Sequence, residues 1–427
     1  MSVLTDQVLR LRRFTTAAWL VAAGVLLAAF NLRTAVTSVG PLLDEIQSGL
    51  NMSGWIAGIL TTLPVICFAI LGAAIPALVR WCGELRLLLA ALVIMTIGTV
   101  ARALVDTVPL FLVFSGLALA GGAVGNVVIP ALVKAHFPRR IGQMTTAYSF
   151  AMSVGTMAAA ALTIPMRDAL GGSWEMALGI WVIPAVFSII PWFILERNHH
   201  NVKRKVDAVT PLRGLGRNRF SWEMMICFGT QSLIAYVMFG WLPKMMGANG
   251  YSAAEAGYML AVFTALGIPI STVVPIIAAR MKDQRALLMF MIAGYAVGLP
   301  LMWLSTVPYL TWTGIVCVTI GMGTFPLLLT LFGLKTRTAA GTAGLSAFTQ
   351  SGGYLIAGTG PLLVGVLYDT TDSWTAPYLL LFAAVAAHGY FGWQITKDRY
   401  LEDELGITKK VVVPKQLVAA SSAPTTD

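Results

Sequence analysis

The stretch TTAAWLVAAGVLLAAFNLRTAVTSVG, residues 15–40, is apolar over nearly its whole length and carries one charged side chain, Arg33. A helix of this length rises far enough, at 1.5 Å per residue, to cross a hydrocarbon core about 30 Å thick. Arg10, Arg12 and Arg13 precede it, as basic residues precede a signal peptide, but the run is too long and lacks a small-residue cleavage site. It reads as an uncleaved first membrane span. Splitting the rest at Pro, Gly and charge clusters gives eleven more, so that twelve spans are predicted at 15–40, 54–78, 87–105, 109–133, 141–166, 174–195, 222–243, 253–279, 286–305, 309–333, 339–367 and 374–395.

Composition agrees with this reading. Of the 427 residues 57% are hydrophobic and 11% charged, with a mean hydropathy of +0.78; soluble domains carry about 25% charged residues. The chain is an integral membrane protein with no room for a separate soluble domain. Its net charge of +10 is that of a protein with basic cytoplasmic loops, and nucleic acid is excluded as a partner. Cys67, Cys82, Cys227 and Cys317 form no C-x-x-C pair and no metal-ligand spacing, so neither a disulfide framework nor a metal site is expected.

Charge fixes the orientation. With the amino terminus inside, 25 of the 29 Lys and Arg residues fall on the cytoplasmic side, while Arg102, Arg167 and Lys244 stay outside. Both termini are then cytoplasmic. Only Arg33 falls well inside a span. The longest polar segment, ERNHHNVKRKVDAVTPLRGLGRNRF, divides the chain into an N-terminal six-helix bundle (1–195), a basic linker (196–221), a C-terminal six-helix bundle (222–395) and a partly disordered tail (396–427).

The two bundles repeat. At an offset of 199, Pro76 meets Pro275, Glu84 meets Asp283 and Arg86 meets Arg285; at 200, Asn31 meets Gln231, Gly40 meets Gly240 and Gly121 meets Gly321. A nearly constant offset across several helices indicates a parallel repeat, as in major facilitator transporters, where substrate lies between the halves near the bilayer midplane. NLRTAVTSVGPLLDEI, followed by SGWIAGILTTLPVICFAILGAAIPALVRWCGELRLLLA, resembles the cyanate permease and nitroimidazole transporter branch of the major facilitator superfamily. The resemblance implies a monomeric, all-α inner-membrane transporter of a small, heteroatom-rich solute, with Arg33 facing a central cavity and no cofactor. One departure stands out: where the superfamily loop between helices 2 and 3 resembles Asp-Arg-x-Gly-Arg, alignment on Gly83 puts Arg80 at the aspartate position. A gating latch is therefore expected from Arg80, Glu84 and Arg86 in the first half and Arg280, Asp283 and Arg285 in the second.

A charge at mid-span costs about 2.5–3.5 kcal/mol even on lenient insertion scales, so Arg33 should face protein or water. Snorkelling is the alternative, yet the eleven residues to Asp44 put about 16 Å of helix between Arg33 and the first acidic pair, too deep to reach the interface comfortably. Asp44, Glu45, Glu175, Glu223 and Glu255 all sit near span ends, so the solute itself is expected to supply the counter-charge. A planar guanidinium suits carboxylate, nitro or cyanate-like groups. Helical spacing places Thr37 beside Arg33 and turns Asn31 away. Further candidate contacts are Asn126, Tyr148 and Ser149 in the first half, and Gln231, Tyr236, Gln350 and Tyr354 in the second; each is equally placed to act as interhelical glue. By the resemblance the last helix is peripheral, so His388 reads as structural, and Trp19, Trp241 and Trp393 read as an interfacial belt.

Enzymatic readings find no support: G-x-S-x-G, H-E-x-x-H and Walker sequences are all missing from the chain. The reading is a secondary transporter of a small anionic or strongly dipolar solute. Its rivals are a proton-coupled multidrug pump, which would want a deep carboxylate, and a non-transporting sensor, which would want a soluble appendage.

Overall fold

The structure, a computed structural model, describes residues 19–137, 140–198, 214–305 and 307–406. The readings of Arg10, Arg12 and Arg13, of most of the basic linker and of the tail beyond residue 406 lie outside these residues. The described helices are α1 (19–31), α2 (Thr34–Thr37), α3 (Leu43–Gly49), α4 (Gly54–Cys82), α5 (Glu84–Arg102), α6 (Val108–His136), α7 (Ile141–Ala169), α8 (Trp174–Gly179) and α9 (Val182–Asn198) in the first half. The second half holds α10 (Arg219–Ala248), α11 (Ala253–Arg280), α12 (Arg285–Leu304), α13 (Pro308–Met322), α14 (Thr324–Leu334), α15 (Ala339–Thr371), α16 (Thr375–Ile395) and α17 (Leu401–Glu404). They make twelve stretches long and apolar enough to cross a membrane, the number and order read from sequence.

The first span departs from a plain helix. It runs on from Trp19 to Gly49 and is broken twice. At Leu32 the backbone tightens to an i−3 bond on the Ala29 carbonyl (3.2 Å), and Arg33 opens the short α2 with its own carbonyl accepting from Val36 and Thr37. A 3-10 turn then covers Gly40–Leu42. The sequence accounts for both breaks. Thr34, Val36, Thr37 and Val39 are stiff, β-branched residues, and the hydroxyls of Thr34 and Thr37 bond back to the Asn31 and Arg33 carbonyls. Pro41 lacks the N–H that a continuous helix would need. On the far side α7 presses against the break at Gly155, where a Cβ would collide with the Phe30 carbonyl.

Packing differs between the two ends of the molecule. At the end carrying Asp44 and Lys244 a single apolar core runs through both halves, joining Leu42, Ile46 and Leu60 to Val237, Trp241, Met245 and Leu260. At the opposite end each half keeps its own core: Val25, Leu92, Val128 and Trp192 in the first, and Phe220, Phe228, Leu288 and Leu331 in the second. Hydrogen bonds between the halves follow the same division among the described residues. Trp241 Nε1 donates to Thr61 Oγ1 (3.1 Å), Thr62 Oγ1 to the Gly358 carbonyl (3.1 Å) and the Trp55 amide to Asp369 (2.9 Å). The repeat positions Gly40 and Gly240 meet at this seam, where a Cβ on Gly40 would lie 2.8 Å from the Phe239 carbonyl. Trp241, expected in the interfacial belt, is instead completely buried in the shared core, because its indole N–H finds Thr61 there; Trp19 and Trp393 remain exposed.

Candidate functional site: a central cavity with one cation

A cavity of about 260 Å³ lies between the halves, floored by the shared core and walled by α7, α10, α11, α13, α14 and α15. Helical periodicity selects its lining. Ser149, Met152, Ser153 and Thr156 form one stripe of α7; Gln231, Ala235, Tyr236 and Phe239 form one stripe of α10; Phe263, Gly267, Ile270 and Ser271 do the same on α11. Tyr354 closes one side. Its ring stacks on Phe68 of the first half (centroids 6.3 Å apart) and meets Phe228 edge-on (5.4 Å).

Arg33 enters this cavity from the break in the first span, and it is the one charged residue of the lining among the described residues. Its guanidinium carbon sits 5.8 Å from the centre of the Phe239 ring. It forms no ion pair among the described residues. An arginine over an aromatic face in a partly desolvated cleft gains on the order of 1 kcal/mol, less than the loss of its hydration costs. The cavity thus holds a cation whose best partner is an incoming anion or dipole. Gln231 adds a buried carboxamide whose Oε1 has no hydrogen-bond partner and whose Nε2 reaches Met322 Sδ (3.8 Å) beside the Tyr295 hydroxyl. Ser149, Ser153 and Tyr236 supply further hydroxyls at the lining.

Five of the nine residues named from sequence line the cavity together: Arg33, Ser149, Gln231, Tyr236 and Tyr354. The other four lie elsewhere, for local reasons. Thr37 is one turn from Arg33 but fully buried, its hydroxyl donating to the Arg33 carbonyl (3.1 Å). Asn126 spends its amide on the Gly122 carbonyl of its own helix (3.1 Å). Tyr148 packs on the core of the first half. Gln350 shares a face with Tyr354 but lies a turn away along the axis, where Ser346 Oγ takes its amide (2.7 Å).

The six gating candidates cluster at the end where the halves have separate cores, and none forms an ion pair across the halves among the described residues. Arg80 ends α4, Glu84 opens α5 and Arg280 ends α11. Arg86 pairs with Glu196 inside the first half, and Asp283 with Arg285 inside the second, where Arg285 also lies 5.1 Å above the Trp393 ring. The Arg285 hydrogen bonds hold the Asp283 carboxyl below its ordinary pKa. The ionic bond between halves is at the other end: Lys244 Nζ reaches Asp44 (2.8 Å) and Gln47, and lies 5.1 Å from the Tyr368 ring.

Sequence reasoning also missed Arg102. Counted as an outside residue, it is completely buried at the end of α5, so Arg33 is not the only enclosed cation. Its Nη1 donates to the Ala35 carbonyl (3.1 Å) and its Nη2 to Ser38 Oγ (3.4 Å), which ties α5 to the broken segment just after Arg33. His388 is buried, with Nδ1 3.0 Å from the Cys227 carbonyl and 3.3 Å from its thiol.

Twelve spans in two repeated halves, closed together at one end beneath a central cavity, define a polytopic membrane carrier. The chain belongs to the Major Facilitator Superfamily, whose family model matches residues 25–361. It is 34% identical over 388 residues to the uncharacterised transporter YycB of Bacillus subtilis (strain 168), covering 90% of this chain and 94% of that one. It is 32% identical to the 2-nitroimidazole transporter of Escherichia coli (strain K12), covering 88% and 95%, and 30% identical to the cyanate transport protein CynX of the same organism, covering 82% and 90%. Among solved structures it superposes on a D-xylose-proton symporter with a TM-score of 0.69 at 15% identity, covering 91% of this chain and all of the other. The nucleoside transporter NupG gives 0.69 at 14%, covering 89% and 99%. The protein is a membrane transporter, not an enzyme.

Proposed function

We propose that this transporter binds a small anionic or strongly dipolar, flat solute on Arg33 and carries it across the bacterial inner membrane by alternating access. The observation that carries the reading is the Arg33 guanidinium, set in the cavity over Phe239 without an ion-pair partner among the described residues. A carboxylate, cyanate or nitro group would accept two parallel N–H bonds from it. Tyr236 stands near it and Gln231 lines the same cavity further along α10, both able to take further polar atoms, and the Tyr354 and Phe239 rings offer a flat solute faces to stack on. The relatives that move 2-nitroimidazole and cyanate support this chemistry.

By the positive-inside rule the end bearing Arg86, Arg285 and Arg337 is cytoplasmic, so the closed Asp44–Lys244 end faces out. Binding couples to closure because a solute paired with Arg33 lowers the cost of enclosing that charge when the halves close over it. A proton-coupled pump would want a carboxylate here, and the described lining residues include none.

The test is a thermal-shift screen of the purified protein against small anions and nitroaromatics at several pH values, followed by uptake in proteoliposomes. Arg33→Ala should strongly reduce transport of the stabilising solute, and Arg33→Lys, which keeps charge but loses the fork, should impair it less. Full activity in both would remove Arg33 from the mechanism.

A further inference from the structure

Behind the main cavity lies a second, much smaller one of about 20 Å³, bordered by Arg102 of α5, Ser115 of α6 and the aliphatic side chains of Val36, Val39 and Leu60. Tyr236 borders both cavities and stands between them. Arg102 is completely buried and Ser115 is 1% exposed. Two polar atoms here have no hydrogen-bond partner: Arg102 Nε and Ser115 Oγ. Nη1 and Nη2 of Arg102 are already used on Ala35 and Ser38.

Charge decides what such a space can hold. A buried cation is far more costly than a buried neutral group unless a negative charge stands beside it. Arg102 has no Asp or Glu partner among the described residues; its acceptors are one carbonyl and one hydroxyl. The carboxyl end of α5 adds only a fraction of a negative charge. What remains unpartnered among the residues at the cavity's edge is a guanidinium N–H and a hydroxyl, both able to donate. One water would take these donors yet leave the net charge standing, whereas one anion would answer both. The volume suits a single small, compact occupant and leaves no room for a carboxylate or phosphate.

We propose that the Arg102–Ser115 cavity is a second anion site, distinct from the transport cavity, that holds one monatomic halide as a resident counter-ion. The halide bridges Arg102 Nε and Ser115 Oγ, and so fastens α5 and α6 to residues 35–38, the segment from which Arg33 projects. The site stands whatever solute the main cavity carries.

The experiment compares thermal unfolding of the purified full-length protein in sodium chloride, bromide and gluconate at equal ionic strength. Chloride and bromide should raise the melting temperature by roughly 2–4 °C over gluconate, and saturably. Ser115→Ala should weaken that difference and Arg102→Met should abolish it, while Arg33→Gln, which removes the cation of the main cavity, should keep it. Crystals grown in bromide should show an anomalous peak between Arg102 and Ser115. If Arg102→Met does not fold, the Ser115→Ala shift and the bromide peak decide the matter. Equal melting temperatures in all three salts, a halide effect lost with Arg33→Gln, or a cavity holding water with no bromide signal would each overturn the proposal.

Discussion

Arg33 and Arg102 act on the same broken segment of the first span, one projecting from it and the other bonded to its Ala35 carbonyl, yet they live in opposite surroundings. Arg33 looks into an open cavity across a Phe239 ring; Arg102 is completely buried, its Nη1 and Nη2 donating to backbone and hydroxyl oxygen and its Nε without a protein partner. Both are enclosed by a membrane protein, and both lack an ion-pair partner among the described residues. The difference is access. A cation that a large solute can reach is suited to recognition, while a cation packed inside the protein is suited to holding a fold, here by satisfying a carbonyl that the helix break leaves without its helical partner.

The sharpest way to break this comparison is to truncate each arginine and measure both stability and transport. Arg102→Ala should cost about 3 kcal/mol of folding stability, from a new cavity and an orphaned Ala35 carbonyl, read as a lowered unfolding midpoint. Arg33→Ala should change stability by less than about 1 kcal/mol but lower kcat/KM by about 30-fold or more, the loss of a charge-assisted hydrogen-bond pair. A transport-competent Arg102→Ala beside an unfolded Arg33→Ala would invert the assignment. A smaller effect tests the seam. Asp44→Asn and Lys244→Ala, combined in a double-mutant cycle, should show a coupling of about 0.5–1 kcal/mol, because Asp44 is largely solvent-exposed while Lys244 is mostly enclosed, with aromatic rings beside it. Zero coupling would leave the apolar core and the hydrogen bonds of Thr61, Thr62 and Asp369 as the ties between the halves.

The number and order of the spans were legible in the sequence because hydropathy reports membrane thickness directly, and the repeat was legible because Gly40 and Gly240 serve the same seam. Side-chain depth was less so. Spacing tells which face of a helix a residue occupies, but not whether a nearby carbonyl claims its donor first, and that is what took Thr37 and Asn126 out of the cavity. Gln350 shows the companion limit: it shares the face of Tyr354, but its distance along the axis decides what it meets. The latch was sought at the loops where the charges are densest, whereas Arg86 and Arg285 bond within their own halves. A usable signal was present at the sparse end. Arg102, Arg167 and Lys244 are the three cations that defy the charge bias, and each has a local reason to be there: Arg167 pairs with Glu45, Lys244 with Asp44, and Arg102 with the broken backbone. Exceptions to a charge rule were better guides to structure than its many followers.

Trp241 gives the seam a consequence for anyone watching the molecule work. Of the twelve tryptophans in the chain, this one lies fully enclosed at the join, its indole bonded to Thr61 of the other half. Parting that end would carry the ring from an oily setting toward water, so its fluorescence should redden with every cycle and give turnover a colour without any attached dye.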